Sequence, residues 1–127
     1  MNTMRKTILP ILLATVWISL SEFARNEFVL RTYWIAHYER LGLLFPSDPV
    51  NGVIWGLWSL FCAITIFLIS KKFGLLETTF LAWFALFVTM WVVIGNLGVL
   101  PDGLLYIASP WSLLEAFVAS LIIKKMS

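Results

Sequence analysis

Four long apolar stretches constrain what this chain can fold into more than any other feature of its sequence. They cover about residues 7–23, 53–70, 75–97 and 104–123. A helix needs about 20 mostly apolar residues, within a range of about 17–25, to cross the hydrocarbon core of a bilayer. The sequence therefore predicts an all-α integral membrane protein: a four-helix bundle in which residues 1–127 form a single transmembrane domain.

The amino-acid composition argues against a soluble domain. The 127 residues are 61% hydrophobic and only 13% charged, whereas soluble domains average about 45–50% apolar and about 25% charged residues. A small soluble domain buries only roughly two-thirds of the surface of its unfolded chain, so the lipid bilayer has to cover the rest. The formal charge of +2 is too small to indicate a nucleic-acid partner.

The positions of the basic residues predict the orientation in the membrane. Lys and Arg occur as pairs at 5–6, 71–72 and 124–125, and with four spans all three pairs fall on the same side. The opposite side carries Arg25, Arg31 and Arg40 together with most of the acidic residues. Because Lys and Arg concentrate on the cytoplasmic side of membrane proteins, we expect both termini to be cytoplasmic and the membrane to be the bacterial cytoplasmic membrane.

The first stretch has one alternative interpretation. Residues 1–21 combine a basic start with an apolar run, which is also the pattern of a cleaved signal peptide. No small-residue cleavage site follows, because Trp17, Ile18, Glu22 and Phe23 occupy that region. This favours a retained helix.

Residues 21–40 are polar and contain the single histidine, His37. The spacing predicts an outer amphipathic helix over about residues 27–41, between spans one and two and lying flat on the outer surface. Glu27 and Arg31 are four residues apart, a spacing that supports a helix. Its apolar face would carry Leu30, Trp34, His37, Tyr38 and Leu41.

Small residues in the second stretch predict a helix-packing surface. Gly52, Gly56, Ser59 and Ala63 recur at spacings of three and four, and small side chains let membrane helices approach closely. The seven tryptophans are interpreted as interface anchors and packing residues rather than as a cofactor site.

The fourth stretch can be interpreted in two ways because Pro110 interrupts it. Ser109 is a good N-cap and proline favours the first helical position, so the preferred prediction is a helix that begins at Pro110. Residues 104–108 would then form a turn or an interfacial segment. The alternative is one kinked helix that begins at about residue 104.

Glu115 is the only acidic residue well inside an apolar stretch. An intramembrane carboxyl group is costly and should face protein or water. If the helix begins at Pro110, Glu115 lies roughly 8 Å below its start, within reach of span three and the top of span one. The predicted polar or ligand site comprises Glu22, Arg25, Asn26, His37, Asn96 and Glu115. Two roles stay open for Glu115, a polar clasp between helices and a ligand or proton site.

Among known families, the chain resembles the small multidrug-resistance exporters, which are also short four-helix proteins with aromatic residues and a membrane-embedded glutamate. The glutamate here, Glu115, lies on the last span rather than the first. The chain also has a long charged segment between spans one and two. No site residue is carried over from that family.

The chain contains no phosphate-binding loop, zincin motif or nucleophile elbow. One histidine and one cysteine, Cys62, give no basis for a metal site. We therefore expect no catalytic residue, metal or cofactor, although a weaker option is an intramembrane enzyme that uses Glu22, Arg25, His37 and Glu115. The favoured function is a non-catalytic accessory or interaction subunit that has a protein partner or forms a homo-oligomer. The alternative is an oligomeric proton-coupled transporter or small-ligand binder that uses Glu115.

Overall fold

The computed structural model describes residues 2–127, with side chains from residue 3 onward. The regular secondary structure in this range is all helical, and the helices are joined by turns and short loops. No β-strand occurs in this range. The α-helices are α1 (Asn2–Phe23), α2 (Arg31–Arg40), α3 (Pro49–Ser70), α4 (Leu75–Trp83), α5 (Thr89–Asn96) and α6 (Leu105–Met126).

Four continuous helical segments are long and apolar enough to cross a membrane, which confirms that part of the prediction. Span one joins α1 to a π-helical segment, Ala24–Val29, and span three joins α4 to α5 through a second π-helical segment, Phe84–Val88. The four candidate spans, numbered one to four in chain order, are Thr3–Val29, Pro49–Ser70, Leu75–Asn96 and Leu105–Met126.

Local sequence explains where several helices begin and end. Pro49 is the first residue of α3. A backbone N–H at this position has no acceptor within the helix, so the absence of one in proline costs no hydrogen bond. The Asp48 backbone N–H donates to Asn51 Oδ1 at 2.9 Å and so closes the start of the same helix. Gly42 and Gly98 follow α2 and α5 with φ of 73° and 78°, a left-handed conformation that ends a helix at little steric cost.

Span one packs against spans two and four, and span four also packs against α4 of span three. Small residues lie where these helices meet, as expected when close backbone approach supplies the packing energy. Two buried clusters result, one nearer the end of the molecule that carries Thr3 and Ser127, which we call the inner end, and one nearer the opposite end, which we call the outer end. The inner cluster contains Ala14, Ile18, Cys62, Ala63, Ile66, Phe67, Ala82, Ala119 and Ile123. The outer cluster contains Leu30, Phe87, Trp91, Leu104 and Ala108.

Span four corrects the preferred prediction for its start. Helix α6 begins at Leu105 and continues through Pro110, so the prediction of a helix beginning at Pro110 was wrong. Ala108 is 1% exposed, and its burial in the outer cluster holds the turn before the proline in helical form. Ser112 Oγ donates to the carbonyls of Ala108 and Ser109 at 2.6 and 3.1 Å. These bonds add hydrogen bonding in the turn where Pro110 has no backbone N–H to donate.

The outer segment between spans one and two divides in two. Residues predicted as one amphipathic helix belong partly to the π-helical segment Ala24–Val29 and partly to α2, with Leu30 buried between them. In α2, one face is half-buried and carries Trp34, Ile35, His37 and Tyr38. The other face is exposed and carries Arg31, Thr32, Glu39 and Arg40. Leu41, predicted on the apolar face, is 44% exposed.

Candidate functional site

Glu115 lies at the contact between spans one and four, where it is 1% exposed. Its Oε1 accepts a hydrogen bond from Ser21 Oγ. Trp111 Nε1 donates to the same Ser21 hydroxyl at 2.9 Å, and Trp17 Nε1 donates to the Glu115 backbone carbonyl at 3.0 Å. Ser21 thus bonds the carboxyl group of Glu115, Trp17 bonds its backbone, and Trp111 supports Ser21 from the same helix as Glu115.

The outer end of span one carries a second group of buried polar residues, Glu22, Arg25 and Asn26, which we call the polar crown. Their exposed fractions are 2%, 3% and 3%. Arg25 Nη2 donates to Glu22 Oε1 at 2.6 Å, and Asn26 Nδ2 donates to the Glu22 carbonyl at 3.1 Å. Trp34 Nε1 on α2 donates to Asn26 Oδ1 at 2.9 Å, so the polar crown also bonds α2 to span one.

The polar crown and Glu115 form one buried cluster. Ser21, whose hydroxyl donates to Glu115, directly precedes Glu22 on α1, so the Glu115 site and the polar crown adjoin each other. The cluster contains two carboxyl groups and the single guanidinium of Arg25. One further positive charge would balance two ionised carboxylates, and a proton or a cationic ligand group can supply it.

The cluster also keeps unused hydrogen-bonding capacity. Glu22 Oε2, Glu115 Oε2, Arg25 Nε and Arg25 Nη1 are buried and have no hydrogen-bond partner among the described residues. Buried polar atoms are nearly always paired in folded proteins, so this concentration is unusual. Arg25 lies over the Phe87 ring at 5.6 Å, which partly stabilises its charge.

A cavity of about 360 Å³ lies directly against the polar crown. Glu22, Arg25, Asn26 and Asn51 provide its polar lining. Its aromatic walls come from α2, α3, α5 and the loop after α2, and they consist of Trp34, Tyr38, Phe45, Trp55, Trp58 and Trp91. Phe45 stacks on Trp34 and meets Tyr38 edge to face, which fixes the loop over the cavity. An aromatic cavity with a few convergent polar groups is the usual form of a small-molecule site.

A second cavity of about 650 Å³ lies between the outer ends of spans one and two and shares Glu22, Asn26 and Asn51 with the first. Gly52 and Gly56 line it, and a Cβ added at either would meet no atom within 4 Å. Ser59 and Ala63, in contrast, are 0% exposed. The structure therefore places the first half of the predicted packing surface beside open space and the second half inside the helix contact.

Two of the predicted site residues lie away from this cluster. His37 Nε2 hydrogen bonds to the Gly98 carbonyl at 2.7 Å, which ties α2 to the loop after α5. Asn96 is exposed at the outer end of α5. Helix α6 begins at Leu105, so Glu115 lies about 15 Å along it rather than about 8 Å. At this greater distance from the start of α6, Glu115 bonds Ser21, whereas Asn96 stays at the surface.

The structure adds residues that the sequence did not single out. Ser21 and Trp17 bond Glu115, Trp111 bonds Ser21, and the aromatic side chains form a cavity wall. Helical spacing offered a signal for part of this set, since Trp17, Ser21 and Arg25 follow one another at intervals of four. Trp111 precedes Glu115 by the same interval.

Residues 2–127 hold no group of three His, Cys, Asp or Glu side chains arranged to bind a metal ion. No protein-family model matches the chain, and neither a curated protein nor a solved structure matched it. The function is therefore inferred from the cluster and its cavity.

Proposed function

We propose that this chain is a non-catalytic integral membrane protein that binds a small amphiphilic ligand in the aromatic cavity. The observation that carries the proposal is the composition of the cavity wall: six aromatic side chains line it together with two buried charged residues, Glu22 and Arg25. Each of these two side chains keeps at least one polar atom that has no hydrogen-bond partner among the described residues. A ligand would complete both the packing and the hydrogen bonding.

The lining defines the chemistry of that ligand. Arg25 offers only donors and an ionised Glu22 offers only acceptors, so the ligand's polar group should both accept and donate. A primary amide, an alcohol or a carboxylic acid meets this requirement, with an aliphatic or aromatic body against the tryptophans. A volume of about 360 Å³ lies within the range of small-molecule pockets.

The proposal includes a membrane arrangement. The four spans form a bundle in the cytoplasmic membrane of a bacterium, with both termini in the cytoplasm and the cavity near the outer surface. The distribution of charged residues supports this arrangement. Lys6, Lys71 and Lys124 line a common cleft at one end of the molecule, and the polar crown lies at the other end.

Ligand binding can be tested with the purified protein in nanodiscs, by tryptophan fluorescence during titration with decanamide, decanol and decane. We expect saturable binding of decanamide or decanol and weaker binding of decane, which has no polar group. Arg25→Gln should weaken amide binding by roughly tenfold, since a hydrogen bond to a charged group contributes about 1.5–3 kcal/mol.

Arg31→Gln is the matched control, because Arg31 pairs with Glu27 on the exposed surface. It should leave the affinity unchanged. Equal affinity for decane and decanamide, or equal losses in the Arg25 and Arg31 variants, would contradict the proposal.

The charge imbalance of the buried cluster favours one further candidate, an oligomeric proton-coupled transporter with Glu115 as the titrating group. Four helices are too few to enclose a wide pathway alone, which is why this candidate requires an oligomer. Glu115→Gln should then abolish ligand-driven proton movement in dye-loaded proteoliposomes while the protein keeps its helix content. A variant that no longer folds would identify Glu115 as a clasp between spans one and four.

The accessory or interaction role predicted from the sequence also remains a proposal, and it is compatible with ligand binding. Trp34 and Tyr38 are turned towards Phe45 and the cavity. A protein partner at the outer surface would therefore meet the exposed charged face of α2, which carries Arg31, Glu39 and Arg40.

A further inference from the structure

The end of the molecule opposite the polar crown contains a basic cleft of about 600 Å³. Its lining includes Lys6 from α1, Lys71 from the turn directly after α3 and Lys124 from α6, so three separate parts of the chain each contribute one cation. The hydroxyl-bearing residues Thr3, Thr7, Ser70 and Ser127 complete the described lining. No Asp or Glu side chain is among the described residues that line this cleft.

Two lysines of the basic cleft, Lys71 and Lys124, contact neutral groups rather than carboxylates. Lys124 Nζ donates to the carbonyls of Ser70 and Phe73 at 3.1 and 3.0 Å, which leaves one of its three N–H groups for a ligand. Lys71 Nζ lies 4.5 Å from the centre of the Phe67 ring. The ion pairs found within residues 2–127 all involve arginine, so none neutralises these lysines.

The position of the basic cleft indicates that an anion bound there would belong to a lipid headgroup. It lies where spans one, two and four end, which is the level of the lipid headgroups if these spans cross a membrane. Clusters of Lys and Arg at that level attract anionic lipids. Met4 and Ile8 of α1 and Leu68 of α3, all near the cleft in sequence, are exposed apolar residues that can meet acyl chains.

We propose that the basic cleft binds the phosphate group of an anionic phospholipid in the leaflet on that side. The lysines and hydroxyl groups would donate to the phosphate oxygens, and the acyl chains would lie along α1 and α3. This inference rests on the membrane insertion proposed above but is independent of any ligand in the aromatic cavity.

Neighbouring basic residues supply a matched test. Lys6→Gln with Lys71→Gln removes two charges from the cleft, whereas Arg5→Gln with Lys72→Gln removes two charges one residue away that do not line it. Each variant would be purified in nanodiscs that contain phosphatidylglycerol and phosphatidylcholine, and the retained lipid would be counted by native mass spectrometry. We expect retention of phosphatidylglycerol on the unmodified protein and a roughly tenfold or greater loss of its affinity in the cleft variant only. Lys124 is left unchanged because it also binds two backbone carbonyls.

Several results would overturn the assignment. Equal losses in the two double variants would mean that the general surface charge, rather than the cleft, attracts the lipid. Equal retention of phosphatidylcholine would remove the role of the anionic headgroup. Displacement of the lipid by millimolar inorganic phosphate would make free phosphate the ligand. Cysteine labelling tests membrane insertion separately, so a failure of insertion can be told apart from a failure of lipid binding.

Discussion

At the scale of single residues, partly buried tryptophan indoles act as hydrogen-bond donors in this protein. Trp17 and Trp111 donate at the Glu115 site, Trp34 donates to Asn26, and Trp83 donates to Ser112 at 3.0 Å. An indole combines a large apolar surface with one N–H, so it fills space between helices and also satisfies an acceptor. These four tryptophans therefore contribute hydrogen bonds as well as packing.

Ser21 joins spans one and four through two side-chain hydrogen bonds. Its hydroxyl donates to Glu115 and accepts from Trp111, and Ser21→Ala removes both bonds while keeping a small side chain. We expect a loss of about 1–2 kcal/mol in the free energy of unfolding, since interhelical hydrogen bonds in membranes contribute about 0.6–1.7 kcal/mol each. Unfolding in a titration of sodium dodecyl sulfate, followed by circular dichroism, measures it.

Ser19→Ala is the control, because Ser19 lies two residues away on α1 and its hydroxyl makes none of the hydrogen bonds found in the described structure. Its effect should stay within about 0.5 kcal/mol, as for substitutions away from packed features. If both variants unfold at the same point, the Ser21–Glu115 bond does not stabilise the helix contact.

At the scale of helical elements, the π-helical segment Ala24–Val29 positions the polar crown. The Leu30 N–H bonds to the Arg25 carbonyl at 2.7 Å, an i+5 spacing that widens the turn. Arg25 and Asn26 are both buried in this segment and point towards the same cluster as Glu22. Single π-helical turns frequently occur at functional sites, which agrees with the position of the cavity.

The start of α6 gives a prediction with opposite outcomes for the two interpretations of span four. Ser109 is a mid-helix residue here, so Ser109→Ala should change the free energy of unfolding by less than about 0.5 kcal/mol. A helix that began at Pro110 would instead lose about 1 kcal/mol with its N-cap. Detergent unfolding by circular dichroism distinguishes the two values.

Pro110→Ala completes the comparison at the same helix. Restoring the missing N–H inside a continuous helix should maintain or raise stability, since an interior proline carries a helix cost of about 3 kcal/mol. Lower stability in both variants would support a helix that starts at Pro110.

At the scale of the whole molecule, the two ends differ in charge type. The outer end carries the polar crown, and Arg40 approaches Asp102 at 3.8 Å on the surface. The other end carries the lysine-lined cleft without acidic neighbours in its described lining. This distribution favours one direction of insertion, because the positive residues stay on the cytoplasmic side.

The direction of insertion can be measured by cysteine labelling in intact cells. Ser47→Cys should react with a membrane-impermeant maleimide from outside, and Lys72→Cys should react only after permeabilisation. Both positions are exposed, whereas the native Cys62 is 2% exposed and should contribute little background. The reverse pattern would invert the proposed topology.

Much of the cluster could be anticipated from the sequence, but its connections could not. Glu115 stands out because ionisable groups are rare in apolar segments, and Glu22, Arg25 and Asn26 because they cluster at the end of the first apolar stretch. The partner of Glu115 could not be predicted, because that partner depends on how far along α6 it lies. Pro110 suggested a late start for the helix, and the burial of Ala108 overrode that local signal.

The sequence by itself determined the four apolar helices, because the hydrophobic length of each segment and the spacing of its turn residues are local properties. It also determined which polar residues have to be accommodated between them. Only the tertiary structure decided that Ser21 meets Glu115, that Asn96 remains at the surface and that six aromatic side chains enclose a cavity against Glu22 and Arg25. The rotation and depth of each helix settle these contacts, and both follow from packing between segments distant in the chain.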